Sequence, residues 1–315
     1  MKKVISLLLI AFAINSCDDG NLIQENISFE DVETVESCTN GIIYKLKDQE
    51  SLLLDVPEET FVNETSTTTL DISTNRVVYR FYNGTVSTDN ICATIPPATP
   101  IVTDQWTATK GQIVITTTAK KESNTTANST KITGYNHNIV LKNVTFEKSN
   151  GNQVYETFVF GDYITTATNL PFLFDQSLDK CSSSNQVYNF TSSEAMQLNI
   201  DPSLIVNQVT PLNTPRIGLI STTTNSLTYR LFSGGVLTNS YFCNAVTPTT
   251  PSINQEWNAV AGVSNTSGII EVTTTTSGPN TFKHTIVLKK VTFKRGNDDF
   301  LLGDNYTFGD LLTTN

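Results

Sequence analysis

The sequence predicts an all-β protein of two tandem homologous domains, each a β-sandwich or, alternatively, a closed β-barrel. Three observations point to this class. Thr, Ser and Asn are abundant while only 16% of the 315 residues are charged. Short β-branched segments alternate with turn residues, and the second half of the chain repeats the first. Such a composition is typical of strands and turns and not of helices.

The internal repeat is the most specific of these observations. Residues 136–148 (NHNIVLKNVTFEK) and 283–295 (KHTIVLKKVTFKR) are identical at eight of thirteen positions. Further matches follow at an offset between 147 and 151 residues, among them the Phe-Gly-Asp motif and the single tryptophan of each half. A self-similarity at one fixed period indicates duplication of a structural unit.

The repeat defines the predicted domain boundaries. The first β domain is expected at residues 38–167 and the second at 181–315, with a linker at 168–180. Each copy is long enough to bury a core of its own. Because the linker is short and partly apolar, the two domains are expected to pack together.

Within each copy the segments alternate as strands do. Residues 77–82 (VVYRFY) run into Asn83-Gly84, a dipeptide typical of hairpin turns. Pro-rich stretches at 96–100 and 248–251 cannot be central strands and are expected to cross between sheets. Seven or eight short strands per copy predict a sandwich or a barrel.

Four of the five cysteines fall at equivalent places of the two copies, one early and one in the middle of each. The repeat therefore predicts one disulfide per domain, Cys38–Cys92 and Cys181–Cys243. Metal binding by these thiols is the alternative, but no CxxC pair or Cys/His cluster accompanies them. Paired cysteines also point to an exported protein.

The N-terminus has the features of a secretory signal. Two lysines follow the first methionine, an apolar run occupies residues 4–14, and Ser16 precedes Cys17. The run is shorter than the ~20 residues that a membrane span needs. Residues 14–17 (INSC) resemble a bacterial lipobox, which implies a signal peptide at 1–16 and a lipid on Cys17. That lipid would make the membrane a partner of the protein.

The segment from residue 17 to 37 is predicted to be an acidic tether. It carries seven acidic residues and no Lys or Arg, so self-repulsion is expected to extend it. Asp18-Asp19 directly after Cys17 resembles the surface-export signal of Bacteroidota lipoproteins. The resemblance implies an outer-membrane protein facing the cell surface, and the alternative is one that faces the periplasm.

Histidines and tryptophans occur once per copy at equivalent positions. His137 and His284 alternate with apolar residues of a strand and are expected to be hydrogen-bonded core residues. Trp106 and Trp257 are either core residues or stacking platforms for a sugar ligand.

A cluster of carboxylates is found in the second copy only. Asp298, Asp299 and Asp304 surround Gly303 and form either a calcium site or a solvated loop. The spacing fits no defined calcium loop, and no motif for any other cofactor is present.

An aspartate and an arginine also occur at equivalent positions of the two copies. Asp162 and Asp310 follow Phe-Gly and are interpreted as turn residues. Arg80 and Arg230 alternate with aromatic residues and are expected to point outward or to cap a sheet edge, where a carboxylate could pair with them.

These features favour a binding or structural module over an enzyme. The formal net charge of −10 argues against nucleic acid as a partner. Tandem β domains on a lipid anchor resemble in layout the glycan-binding lipoproteins of Bacteroidota, which implies a glycan or protein ligand. The alternatives are a polysaccharide-active hydrolase, for which no paired carboxylates are placed by a motif, and a carrier of a small apolar ligand.

Overall fold

A computed structural model describes residues 26–32, 34–74, 76–148 and 151–315. The predicted signal peptide, Cys17 and the first part of the predicted tether lie outside the described residues. The prediction of an all-β fold is confirmed, because strands and turns make up nearly all of the described chain.

The first copy contains eight strands and one short helix. The sheet order is β1-β2-β3-β5-β6-β7-β8, with β4 paired to β6, and all neighbours are antiparallel. The elements are β1 (Glu36–Ser37), β2 (Ile43–Lys47), β3 (Glu50–Asp55), β4 (Ser66–Asp71), β5 (Arg76–Tyr82), α1 (Asp89–Cys92), β6 (Val102–Asn124), β7 (Ser129–Lys148) and β8 (Gly151–Thr166).

The second copy repeats this order with more and shorter strands. The sequence of neighbours is β12-β15-β16-β19-β9-β10-β11-β13-β14-β17-β18. The strands are β9 (Ser177–Lys180), β10 (Gln186–Phe190), β11 (Glu194–Asn199), β12 (Arg216–Leu219), β13 (Ser226–Ser233), β14 (Ser252–Ala259), β15 (Ile269–Thr276), β16 (Thr281–Lys289), β17 (Thr292–Arg295), β18 (Asp298–Leu301) and β19 (Tyr306–Thr314).

In the first copy a long strand connects the two layers. The first half of β6 pairs with β5 and its second half with β4, so this strand belongs to both layers. The corner lies at Gly111, whose φ is +121° and where a Cβ would come within 2.7 Å of a backbone oxygen of Lys142. In the second copy the same path is interrupted between β14 and β15. Each copy is thus a sheet folded over one core, as in a β-sandwich.

Each core is built from the apolar face of every strand. Large side chains that are fully buried include Trp106, Phe146 and Phe160 in the first copy and Trp257, Tyr229 and Phe293 in the second. The alternation of buried and exposed residues along the strands is the pattern that the sequence predicts.

The segment that opens each copy lies beside the last strand in parallel orientation. Thr34, just before β1, forms a bridge with Asp162, and Ser177 of β9 pairs with Asp310. The glycine of each Phe-Gly-Asp motif makes this approach possible: a Cβ on Gly309 would lie 2.8 Å from the backbone oxygen of Gln176, the residue before β9. Phe-Gly-Asp is therefore a strand motif, and its interpretation as a turn is wrong.

The opening segments also change the predicted domain boundaries. Ile27, Phe29 and Val35 are buried in the core of the first copy, although they lie outside any strand, so the tether does not extend to residue 37. Likewise, residues 177–180 of the predicted linker form β9, and Leu178 is buried in the second core. Both predictions are wrong in these parts because apolar residues among the acidic ones pack into the cores.

Both predicted disulfides are confirmed. Cys38 bonds to Cys92 and Cys181 to Cys243, with a Cα–Cα distance of 5.3 Å in each pair. Each bridge joins the start of its copy to the segment between β5 and β6 or between β13 and β14, which contains the Pro-rich stretch. Because these strands are antiparallel neighbours in one sheet, the prediction that the Pro-rich stretches cross between sheets is wrong.

Candidate functional site

Both tryptophans are core residues. Trp106 and Trp257 are each 2% exposed, so the prediction of a surface platform for sugar stacking is wrong for both. A cation covers one face of each indole: Nζ of Lys148 lies 4.4 Å from the ring centre of Trp106, and the guanidinium of Arg295 lies 4.9 Å from that of Trp257.

The histidines are hydrogen-bonded core residues, as predicted. His137 is fully buried and its two nitrogens contact the hydroxyls of Thr117 and Thr165, at 2.8 and 2.9 Å. His284 contacts Thr274 and Thr313 in the same way. Burial lowers the pKa of both imidazoles, which favours the neutral ring.

The repeated arginines and aspartates pair with neighbours in their own copy. Arg230 forms an ion pair with Glu256 at 2.7 Å, whereas Arg80 donates to Gln105 at 2.9 Å. The prediction of a carboxylate partner is thus confirmed for Arg230 and wrong for Arg80.

The aspartates of the Phe-Gly-Asp motifs are likewise engaged within their own sheets. Asp162 accepts a hydrogen bond from Asn138, and Asp310 pairs with Lys283 and accepts from Thr285.

The acidic cluster of the second copy is an interface with the first copy. Asp299 forms an ion pair with Lys121 at 2.7 Å, and Asp304 accepts a hydrogen bond from Asn128. The three carboxylates reach different partners and do not converge, and no group of His, Cys, Asp and Glu within the described ranges is arranged to hold a metal ion. The cluster is therefore neither the predicted calcium site nor a solvated loop.

Asp298 is the buried centre of this interface. Its side chain is 1% exposed. One carboxylate oxygen accepts hydrogen bonds from the backbone N–H and the hydroxyl of Thr65, at 3.2 and 2.5 Å, and the other accepts one from the hydroxyl of Tyr135 at 2.9 Å. Burial, with the neighbouring Asp298 charge, raises the pKa of Tyr135, so the phenol stays protonated as a donor.

A cavity lies where the two copies meet, and we call it the junction cavity. Its volume is about 240 Å³, more than the roughly 150 Å³ that holds a benzene molecule. Side chains of both copies form its largely apolar wall, namely Ile132, Leu170, Phe172, Trp257, Phe300 and Tyr306. Asn63, Tyr135 and Arg295 add polar groups to it.

Glu194 holds the chain that enters the second copy against this cavity. The carboxylate is buried and accepts hydrogen bonds from two consecutive backbone N–H groups, those of Phe172 and Leu173, at 2.9 and 2.8 Å. Phe172 has a left-handed φ of +50°, which points both N–H groups at one anion. Its ring stacks on Tyr229 at 4.3 Å and so forms part of the cavity wall.

The Glu194 carboxylate also raises the pKa of two neighbouring tyrosines. Tyr229 donates to Glu194 at 2.7 Å, and burial followed by this bond raises the pKa of its phenol. Burial and the negative charge of Glu194 raise the pKa of Tyr306 to about 12. Both phenols are therefore neutral at ordinary pH, and Tyr306 lines the cavity in that form.

Sequence reasoning missed Tyr135, Glu194 and Arg295 as site residues. A signal existed in the differences between the copies. In the alignment of the repeats, Tyr135 stands opposite Phe282 and Arg295 opposite Lys148. The tyrosine hydroxyl that donates to Asp298 thus occurs only in the first copy. The guanidinium that lines the cavity occurs only in the second.

Comparison with protein-family models, with curated proteins and with solved structures finds no match to the chain. Among the described residues, no helix has the length and apolar character that a membrane crossing requires.

Proposed function

We propose that this protein is an exported lipoprotein, anchored through Cys17, whose two β domains act as one binding module with its ligand seat in the junction cavity. The lipobox and the acidic residues after Cys17 support an outer-membrane location facing the cell surface. The two disulfides support an oxidising compartment outside the cytoplasm.

The observation that carries the proposal is the composite wall of the junction cavity. An apolar concavity with a few convergent polar groups is the usual form of a small-ligand site. Among the described residues this cavity is a single shared one, because both copies contribute to its wall. The duplication therefore supports one shared site more than two separate weak ones.

The ligand seat is tested with a binding panel on the full-length lipidated protein in mild detergent. The panel contains aromatic and aliphatic fragments and mono- and oligosaccharides, and ligand-observed NMR detects binding. Ala167 lines the cavity and Ala98 is exposed far from it in sequence, so Ala167→Trp and Ala98→Trp form a matched pair. We expect hits that bind wild type and Ala98→Trp and that lose at least tenfold in affinity with Ala167→Trp.

Hits that persist in Ala167→Trp would place the ligand elsewhere on the protein. An absence of hits across the panel would remove the small-ligand function.

The anchor is tested separately in cells. We expect wild type to incorporate a labelled fatty acid and to fractionate with membranes, and Cys17→Ser to do neither. A Cys17→Ser chain that still carries the label would contradict lipidation at this residue.

A further inference from the structure

We infer that the ligand of the junction cavity is a small carboxylate with an apolar body, and that Arg295 binds its carboxylate group. The inference rests on the proposed function and adds the chemical class of the ligand. It depends on the surroundings of the Arg295 guanidinium, on the cavity wall and on a comparison between the two copies.

The guanidinium of Arg295 has an incomplete set of partners. Its Nη2 donates to the backbone oxygen of Asn63 at 2.9 Å, and one face of the group covers Trp257. Its Nε is buried, and no acceptor among the described residues is within hydrogen-bond reach of it. A buried donor without an acceptor is unfavourable and rare in native proteins, so the guanidinium has hydrogen-bonding capacity that the described residues do not use.

The charge of Arg295 is also not neutralised by an ion pair among the described residues. The guanidinium also interacts with the Tyr135 hydroxyl, which donates to Asp298. Both oxygens of Asp298 are already engaged by Thr65 and Tyr135. A guanidinium that lines a largely apolar cavity without an ion pair favours an oxygen anion, above all a planar carboxylate.

The rest of the wall defines the body of the ligand. Phe172, Phe300 and Tyr306 present ring surfaces, and Ile132 and Leu170 present aliphatic ones. With a volume of about 240 Å³, the cavity has room for one six-membered ring and a short acidic side chain, since roughly 150 Å³ holds benzene alone. An aryl or branched aliphatic acid matches both parts of the site.

The first copy provides an internal comparison. Lys148, which aligns with Arg295, covers Trp106 in the same way and donates to Gln153 at 3.4 Å. The cation over the indole is therefore a shared packing element, whereas the fork-shaped guanidinium is specific to the junction. Lys148→Met removes the cation over Trp106 and its bond to Gln153, away from the cavity wall. Arg295→Met removes the cation over Trp257 together with the guanidinium that lines the cavity.

The test compares three probes of one shape on the full-length protein: 3-phenylpropionate, 3-phenylpropanol and 3-phenylpropylamine. Titration by ligand-observed NMR or calorimetry gives the affinity of each. We expect the acid to bind at least tenfold more tightly than the alcohol, and the amine not to bind. Arg295→Met and Arg295→Gln are both expected to remove the preference for the acid, and Lys148→Met to leave it within twofold.

Equal binding of acid and alcohol, both lost in Ala167→Trp, would overturn the carboxylate class and leave the ligand seat in place. Retention of the acid preference in Arg295→Gln would show that another group binds the carboxylate. If the acid does not bind, the inference about the carboxylate is wrong. If the fragment and sugar panel also gives no hits, the proposed ligand-binding function is wrong as well. Far-UV circular dichroism confirms that each variant is folded, and Arg295→Gln replaces Arg295→Met if the latter is not.

Discussion

Replacing Cys181 and Cys243 together with serine is expected to lower the free energy of unfolding by ~4 kcal/mol in the chain-entropy description of disulfides. The bond joins residues 62 apart in sequence, so its loss frees a long loop in the unfolded chain. Cys181 is also completely buried, beside the stacked rings of Tyr188 and Phe242. A serine hydroxyl at the buried position 181 adds a desolvation cost.

Urea unfolding followed by circular dichroism measures the change. The matched variant Cys38→Ser/Cys92→Ser opens a loop of separation 54 and is expected to lose a similar ~4 kcal/mol, because the entropy term depends only weakly on loop length. Reduction of the wild type provides a control without any substitution. An unchanged midpoint in protein whose thiols are shown to be free would contradict a stabilising role for the bridges.

The repeat allowed the fold class and the disulfide pairing to be predicted, because both follow from local pattern. The strand predicted at residues 77–82 is β5 (Arg76–Tyr82), and the two histidines lie in the core on the face that alternation assigns to them. If each copy forms its own disulfide, only one pairing of the four cysteines is possible.

The segment that opens the first copy was assigned to the tether because its acidic composition outweighed its apolar residues. Seven carboxylates between residues 17 and 37 indicated a solvated tether. The burial of this segment depends on distant residues: the backbone N–H of Ile27 donates to Tyr155, and Gly161 leaves room for Val35. No local window contains both sides of these contacts.

The contact between the two copies could not be predicted from local sequence for the same reason. Asp298 and Thr65 are separated by 233 residues, so the acidic triplet could be interpreted only from its own loop, as calcium ligands or solvated charges. The difference between the copies was the usable signal. Tyr135 occurs in one copy and the buried Asp298 in the other. The two side chains can form a hydrogen bond only if the copies face each other.

Asp298→Ala is expected to lower the free energy of unfolding by ~3 kcal/mol, since a hydrogen bond to a charged group contributes roughly 1.5–3 kcal/mol and each donor left without a partner adds a cost. The substitution leaves the Thr65 and Tyr135 donors facing a buried space. Because these donors belong to the other copy, the loss is expected mainly as weaker docking. Two measurements detect weaker docking. We expect faster proteolytic cleavage in the segment between the copies and a separate unfolding step for each copy.

Asp299→Ala is the matched control, because it removes a neighbouring carboxylate whose pair with Lys121 is half exposed. Such a pair contributes about 0–1 kcal/mol, so both readouts should stay close to wild type. Tyr135→Phe completes a double-mutant cycle with Asp298→Ala, and it introduces the residue that the second copy carries at the equivalent position. A coupling of about 0.5–3 kcal/mol between the two changes is expected for groups in contact. If their effects simply add, the bond between Tyr135 and Asp298 does not hold the copies together, and the rigid junction on which a shared ligand seat depends must have another origin.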